Sequence, residues 1–130
     1  MIGLDTNVLV RYFTQDDEAQ AVRANEVVDG LTESDPGYVT LIALAETWWV
    51  LRGAYAIDRA TVTGILKGLV DSKEIIVELA DTVRRSLDRT ERGADFADSL
   101  IQERGVDAGC ERTVTFDANA AKRAGMEMLE

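Results

Sequence analysis

Short apolar runs alternate with longer amphipathic segments along this chain, and this alternation constrains the fold more than any other sequence feature. The short runs predict strands at residues 1–4, 37–40, 75–78 and 112–116, with a further edge strand at 126–129. Successive parallel strands need crossover connections of a dozen or more residues, which are usually helices. The strands are brief and apolar, as strands covered on both faces are. The sequence therefore predicts an α/β fold, a three-layer α/β/α domain around a short central parallel sheet.

Helix signals fill the segments between the predicted strands. Asp16 or Asp17 is a favoured N-cap for one helix, and Asp58 is a favoured N-cap for another. The predicted helices span residues 7–13, 17–28, 41–51, 58–71, 81–92, 96–104 and 119–124. The 130 residues contain a single proline and no Ser/Gly-rich linker, so we expect one domain spanning residues 1–130.

The composition excludes several catalytic chemistries. The chain has no histidine, which excludes Ser-His-Asp and Cys-His triads and histidine-based zinc sites. The one cysteine, Cys110, cannot form an intramolecular disulfide and is predicted to be a small buried side chain. The 24 acidic and 14 basic residues give a net charge of −10, which opposes nucleic-acid binding through bulk charge. Any chemistry on nucleic acid must therefore be local or carried by cations.

No segment resembles a targeting or membrane sequence. The first residues lack a basic lead, and Asp5 interrupts their apolar run. No stretch approaches the roughly 18 uncharged apolar residues of a membrane span. We therefore expect no membrane contact and a cytoplasmic location, which the low cysteine content also favours.

Two aspartates follow directly after predicted strands, Asp5 after the first and Asp117 after the fourth. Ligands of open α/β sheets bind outside the carboxyl ends of the strands, so both carboxylates are candidates for a functional site. Polar neighbours accompany them: Thr6 and Asn7 follow Asp5, and Thr115 precedes Asp117. An equally good explanation is that each aspartate caps the helix that follows it.

Glu46 is a carboxylate within an apolar helix, LIALAETWWVL. A helix that is apolar nearly all round is predicted to be buried, and a buried carboxylate needs a metal ion, an arginine or a proton. The alternatives are a salt bridge to Arg52 and an exposed surface position. The neighbouring Trp48 and Trp49 are predicted to lie in the core or at a subunit interface, although base stacking is a further use of such side chains.

Asp95 and Asp98 are three residues apart in GADFADSLI, so both face the same way from the first turn of a helix. Capping and the helix dipole explain one of the two acids, and they explain Asp98 less well if Asp95 is the cap.

Together, Asp5, Glu46, Asp117 and one or both of Asp95 and Asp98 form a set from four separate elements. If these acids meet at one edge of the sheet, their repulsion requires a divalent cation, and oxygen ligands favour Mg²⁺ or Mn²⁺. Such a metal supplies the missing acid–base chemistry by lowering the pKa of bound water.

These motifs resemble the PIN domain, and specifically a VapC-type toxin of a bacterial toxin–antitoxin pair. The resemblance covers the whole chain, through DTNVLVRYF, ALAETWWVL, GADFADSLI and TVTFDANAAKRAG in that order. It implies an Mg²⁺-dependent endoribonuclease, with Mn²⁺ also possible, that cleaves RNA and is neutralised by a cognate antitoxin. A homodimer is implied by the resemblance alone.

The resemblance also implies roles for individual residues. Asp5 matches the first acid of the family, Glu46 the second, and Asp98, which precedes Ser-Leu-Ile, the third. Asp117 stands where a fourth acid is expected, and Thr115 matches a threonine that supports it. In this pattern Asp95 is an additional acid, which either ligates the metal or only caps the helix.

The arginines Arg85, Arg89 and Arg92 share one face of a predicted helix and could form a rail for RNA. Asp81, Asp88 and Glu91 lie on the same helix, which favours a solvated face paired within itself.

Two other classes of function remain as alternatives. One is a non-catalytic PIN-fold scaffold that only binds a partner, which the intact acid set opposes. The other is an Mg²⁺-binding phosphoacceptor domain, which also clusters acids at strand ends. That class expects a second acid near Asp5 and a lysine just beyond a later strand, whereas the first lysine after Asp117 is Lys122.

Overall fold

Five short strands and seven helices alternate along the chain, as the sequence predicts. A computed structural model describes residues 1–130. The strands are β1 (Ile2–Gly3), β2 (Gly37–Val39), β3 (Ile75–Val77), β4 (Val114–Thr115) and β5 (Glu127–Met128). The helices are α1 (Thr6–Thr14), α2 (Glu18–Asp29), α3 (Leu41–Gly53), α4 (Arg59–Asp71), α5 (Ala80–Glu91), α6 (Phe96–Asp107) and α7 (Ala118–Ala124).

All the strand pairs are parallel, but the strands form two separate sheets. The larger sheet has the order β1-β2-β3, with Ile2 opposite Gly37 and Gly37 opposite Ile75. The strands β4 and β5 pair only with each other, with Val114 opposite Glu127. The fold is thus helical with a short parallel sheet, consistent with the predicted three-layer α/β/α arrangement.

The chain divides into two compact units, residues 1–78 and 79–130. In the first unit, Leu44, Trp48 and Leu51 lie on one face of α3, and each is at most 2% exposed. The central strand β2 contributes the fully buried Val39, and α4 contributes Leu66. Burying such side chains stabilises the folded state by roughly 1.5–3 kcal/mol each. The packed face of α3 fixes the direction in which its opposite face points.

The second unit contains α5, α6, α7 and the small sheet of β4 and β5. Val83 and Leu87 lie one turn apart on α5 and are buried, as is Phe96 at the start of α6. Two buried alanines of α7, Ala120 and Ala124, form a cluster with Ala94 and Met126. Small side chains let α7 approach its neighbours closely, which places the residue before α7 near the start of α6.

Side-chain caps set where most of the helices begin. Asp17, Thr40 and Asp58 accept hydrogen bonds from backbone N–H groups in the first turns of α2, α3 and α4. The prediction of Asp58 as a cap is confirmed, and of the two candidates Asp16 and Asp17 the cap is Asp17. These caps satisfy donors that a helix leaves unpaired at its start.

Trp49 and Cys110 lie at the surface of the chain rather than in the core. For Trp49, the alternative position at a subunit interface stays a prediction. Trp48 is 2% exposed, but the adjacent Trp49 is 72% exposed, on the same face of α3 as the exposed Ile42. An apolar helix is buried only on the faces that its neighbours cover, and composition does not say how many faces those are. Cys110 is also exposed, since it follows α6 in a turn rather than lying within an element.

No helix of the structure is both long enough and apolar enough to cross a membrane.

Candidate functional site

Asp5 stands between β1 and α1 with a carboxylate that serves no capping role. The residue occupies the N-cap position of α1 in an extended conformation, yet its side chain accepts no hydrogen bond from the helix. The side chain is exposed, whereas its neighbours Leu4 and Thr6 are buried. Helix capping therefore does not account for Asp5, and both of its carboxylate oxygens are available to a ligand.

Glu46 is exposed on α3, so the prediction that it is buried is wrong. It lies on the uncovered face of the helix, between Ile42 and Trp49. The buried Thr6 of α1 donates its hydroxyl hydrogen to Glu46 Oε1 at 3.2 Å. This bond holds Glu46 beside the residue that follows Asp5. It leaves Oε2 of Glu46 without a hydrogen bond.

The second unit contains three further candidate acids, Asp95, Asp98 and Asp117, and Asp95 caps α6. Asp95 Oδ1 accepts a hydrogen bond from the backbone N–H of Asp98 at 3.0 Å, which begins α6. Its backbone carbonyl accepts from the hydroxyl of Ser99. The structure thus gives Asp95 the role that the sequence left divided between Asp95 and Asp98.

Asp98 is the carboxylate in the least favourable surroundings. Partial burial raises the pKa of Asp98 above its usual range, and the charges of Asp95 and Asp117 raise it further. No arginine or lysine offsets this repulsion, and no hydrogen bond satisfies the carboxylate. Unusual pKa values of this kind, caused by burial together with nearby like charges, are typical of functional sites.

Asp117 caps α7, but with only one of its oxygens. Oδ1 accepts from the backbone N–H groups of Asn119 and Ala120, at 2.8 and 3.2 Å. Oδ2 makes no hydrogen bond, so capping and ligand binding are compatible at this residue. Thr115 Oγ1 accepts from the backbone N–H of Asp117 at 3.0 Å, which orients the aspartate at the end of β4.

The donor chemistry of these residues suits a divalent cation. All the candidate side chains offer oxygen atoms, and in the second unit the charges of Asp95 and Asp117 repel that of Asp98. A divalent cation would relieve that repulsion, and oxygen donors select Mg²⁺ or Mn²⁺. As arranged in this structure, no three acidic or cysteine side chains form a ready metal site.

Glu78 is a residue of the first unit that the sequence reasoning missed. It follows β3, and its Oε1 accepts a hydrogen bond from the backbone N–H of Leu41 at 2.8 Å, beside the start of α3. Its own backbone N–H donates to Val39, so β2, β3 and α3 are tied at one point. The signal was available, since Glu78 is an acid directly after a strand, as Asp5 is.

Of the three arginines considered as an RNA contact, Arg85, Arg89 and Arg92, the first two are paired with acids. Arg85 forms ion pairs with Glu103 and Asp107 of α6, and Arg89 lies 3.4 Å from Glu103. Both arginines are paired, but their partners lie on α6, so the prediction of a face paired within α5 is wrong for these two arginines. A helix face read alone does not show which charges a neighbouring helix brings to it.

A comparison with protein families matches residues 2–126 to the PIN domain. The chain therefore belongs to the PIN domain family. PIN domains are generally nucleases that use divalent metals, and membership suggests RNA as a ligand. No curated protein matches the chain in a sequence comparison.

Proposed function

We propose that this PIN domain is a metal-dependent endoribonuclease and the toxin of a VapC-type toxin–antitoxin pair. The observation that carries the proposal is the environment of Asp98, a partly buried carboxylate whose pKa is raised by Asp95 and Asp117. A protein does not keep such a group for stability, because its repulsion destabilises the fold at neutral pH. The repulsion at the Asp98 carboxylate is explained if that carboxylate binds a cation, because the cation would offset it.

The proposed metal ligands are Asp5, Glu46, Asp98 and Asp117, with Asp95 as a less direct participant. Mg²⁺, or Mn²⁺ in its place, supplies an activated water for attack on a phosphodiester. The protein contributes fixed carboxylates and their supports. Thr6 orients Glu46, Thr115 orients Asp117, and Asp95 sets the first turn of α6 that carries Asp98.

The partners follow from the same proposal. The substrate is RNA, and the inhibitor is a cognate antitoxin whose basic side chains would find an acidic toxin with a net charge of −10. We also propose that the toxin is a homodimer and acts in the cytoplasm.

The test is cleavage of end-labelled total RNA by the purified, antitoxin-free protein in Mg²⁺, in Mn²⁺ and in EDTA. We expect discrete fragments with either metal and none in EDTA, because no histidine is present to replace the metal's acid–base role. The matched pair of variants is Asp98→Asn and Asp88→Asn. Asp88 is an exposed aspartate of α5, so its variant makes the same chemical change away from the candidate acids.

Asp98→Asn should abolish cleavage, and Asp88→Asn should cleave as the wild type does. Equal fragments from wild type in EDTA and in Mg²⁺ would contradict the metal requirement. A protein that binds RNA and Mg²⁺ yet never cleaves would instead support the non-catalytic scaffold.

A further inference from the structure

A broad groove of about 1000 Å³ runs between α1 and α2 of the first unit. Its lining combines four apolar side chains with five polar or charged ones from both helices. The apolar residues are Val8, Ala19, Ala24 and Val27, and the polar or charged residues are Asn7, Arg11, Gln20, Arg23 and Glu26. The groove begins in the first turn of α1, because Asn7 is only two residues beyond Asp5. It therefore leads away from one of the candidate metal ligands.

The polar side chains of the groove lie on matched faces of the two helices. Asn7 and Arg11 are one turn apart on α1, and Gln20 and Arg23 are one turn apart on α2. Arg11 is held in place: its Nε donates to Gln20 Oε1 at 2.7 Å, and its Nη1 donates to the hydroxyl of Tyr55 at 2.9 Å. The side chain of Arg11 is thus already ordered before any ligand arrives.

Arg23 is the exposed cation of this groove, and it has no ion pair in the structure. Glu26 is the one acid in the lining, so the lining carries two positive charges and one negative charge. Asp16 Oδ1 lies 3.5 Å from Arg11 Nη1 and offsets part of the positive charge of Arg11. In the second unit, by contrast, Arg85 and Arg89 are paired with acids of α6.

We propose that the groove between α1 and α2 binds the sugar–phosphate backbone of the RNA substrate, with Arg23 as its main phosphate ligand. The inference rests on the proposed ribonuclease function and names the residues that hold the substrate. A guanidinium matches the oxygens of a phosphate in geometry and charge, and Arg23 has its donors free to do so. Arg11 provides a second, preordered positive charge, and the amide of Asn7 provides a donor for sugar or phosphate oxygens.

The experiment compares Arg23→Ala with Lys73→Ala, each of which removes one exposed positive charge from the first unit. Lys73 lies in the turn before β3, outside the groove, and it has no ion pair in the structure. The probe is a fluorescein-labelled single-stranded RNA of mixed sequence. Its binding is followed by anisotropy with Ca²⁺ in place of Mg²⁺ over a series of KCl concentrations, and its cleavage is followed separately in Mg²⁺.

For Arg23→Ala we expect RNA binding to be about tenfold weaker. A plot of the logarithm of the binding constant against the logarithm of the KCl concentration should have a slope that is smaller in magnitude by about 0.7, as for the loss of one phosphate contact on a single strand. KM should rise by a similar factor while kcat stays unchanged, because a backbone contact binds the ground state and the transition state alike. Arg23→Lys should recover part of the affinity, and Lys73→Ala should match the wild type.

Wild-type cleavage with unchanged KM and salt slope in Arg23→Ala would overturn this inference and leave the proposed function standing. A wild-type protein that neither binds nor cleaves RNA would overturn the proposed function, and the inference would fail with it.

Discussion

Three aspartates of the second unit show how one residue type takes different roles within one compact unit. Asp95 uses its carboxylate to begin α6, and Asp117 uses one oxygen to begin α7. Asp98 has neither role, and its pKa is raised by burial and by those two neighbours. Local hydrogen bonds therefore give Asp95 and Asp117 capping roles, whereas the Asp98 carboxylate and Oδ2 of Asp117 make no hydrogen bond and are available to a cation.

The burial and charge repulsion of the Asp98 carboxylate predict that Asp98→Asn is more stable than the wild type in EDTA at pH 7. The amide removes the repelled charge while keeping the shape, so we expect the melting temperature to rise by about 2 °C. Saturating Mg²⁺ should raise the melting temperature of the wild type and close the gap. Calorimetry checks both values, and a variant that melts below the wild type in EDTA would show that Asp98 is not strained.

Thr6 offers a second test at the residue scale, since its hydroxyl orients Glu46 from a buried position. Thr6→Val removes the hydroxyl at nearly constant volume, and we expect RNA cleavage to fall about tenfold, as for the loss of an outer partner of a metal ligand. Thr6→Ser keeps the donor and should retain most of the activity. Equal activity in the valine and wild-type proteins would remove Thr6 from the proposed machinery.

Among the elements, α5 and α6 are joined by a group of charges around Asp107. Its carboxylate accepts from the hydroxyl of Thr82 and from Arg85, both on α5, and it lies 3.4 Å from Arg104 of its own helix. The hydrogen bond from Thr82 holds the pKa of Asp107 below its usual range, and the arginines lower it further. This arrangement ties the helix that carries Asp98 to its neighbour.

The lowered pKa of Asp107 predicts a pH-dependent contribution to stability. A carboxylate whose pKa is lower in the folded state than its ordinary value of 3.8 stabilises the fold above that value. The contribution is lost as the pH falls through the lowered pKa. Asp107→Asn should therefore melt below the wild type at pH 7, and the gap should shrink as the pH falls below 3.8. A gap that is the same at every pH would show that charge is not its cause.

The order and type of the elements were accessible from sequence because each helix and strand carries local signals. Asp58, for example, is a favoured N-cap in the sequence and begins α4 in the structure. All the predicted helices and strands occur within a few residues of their expected positions. The separation of β4 and β5 from the larger sheet was not accessible, because strand pairing depends on distant partners. The exposure of Glu46 was missed for the same reason, since burial depends on which faces the neighbours cover. For that reason too, the sequence did not show which of Trp48 and Trp49 lies in the core.

At the scale of the whole molecule, the acidic composition and the PIN fold pose one question: how a chain with a net charge of −10 acts on RNA. The proposed answer has two parts. Cations bound by the strand-end acids carry the phosphate chemistry, and a local pair of arginines in the groove between α1 and α2 holds the substrate. Positive charge is needed only where the RNA lies, so the remaining surface is free to be acidic.

The most direct test of this account measures Mg²⁺-dependent cleavage of one RNA by Asp5→Asn and Asp98→Asn, which alter a candidate ligand in each unit. If both acids bind the catalytic metal, each substitution should lower kcat/KM by more than about 100-fold, since even outer partners of a metal are worth about 10- to 100-fold. Melting temperatures confirm that both variants are folded. Wild-type cleavage by either variant would contradict the account, because that carboxylate would then have no part in the reaction.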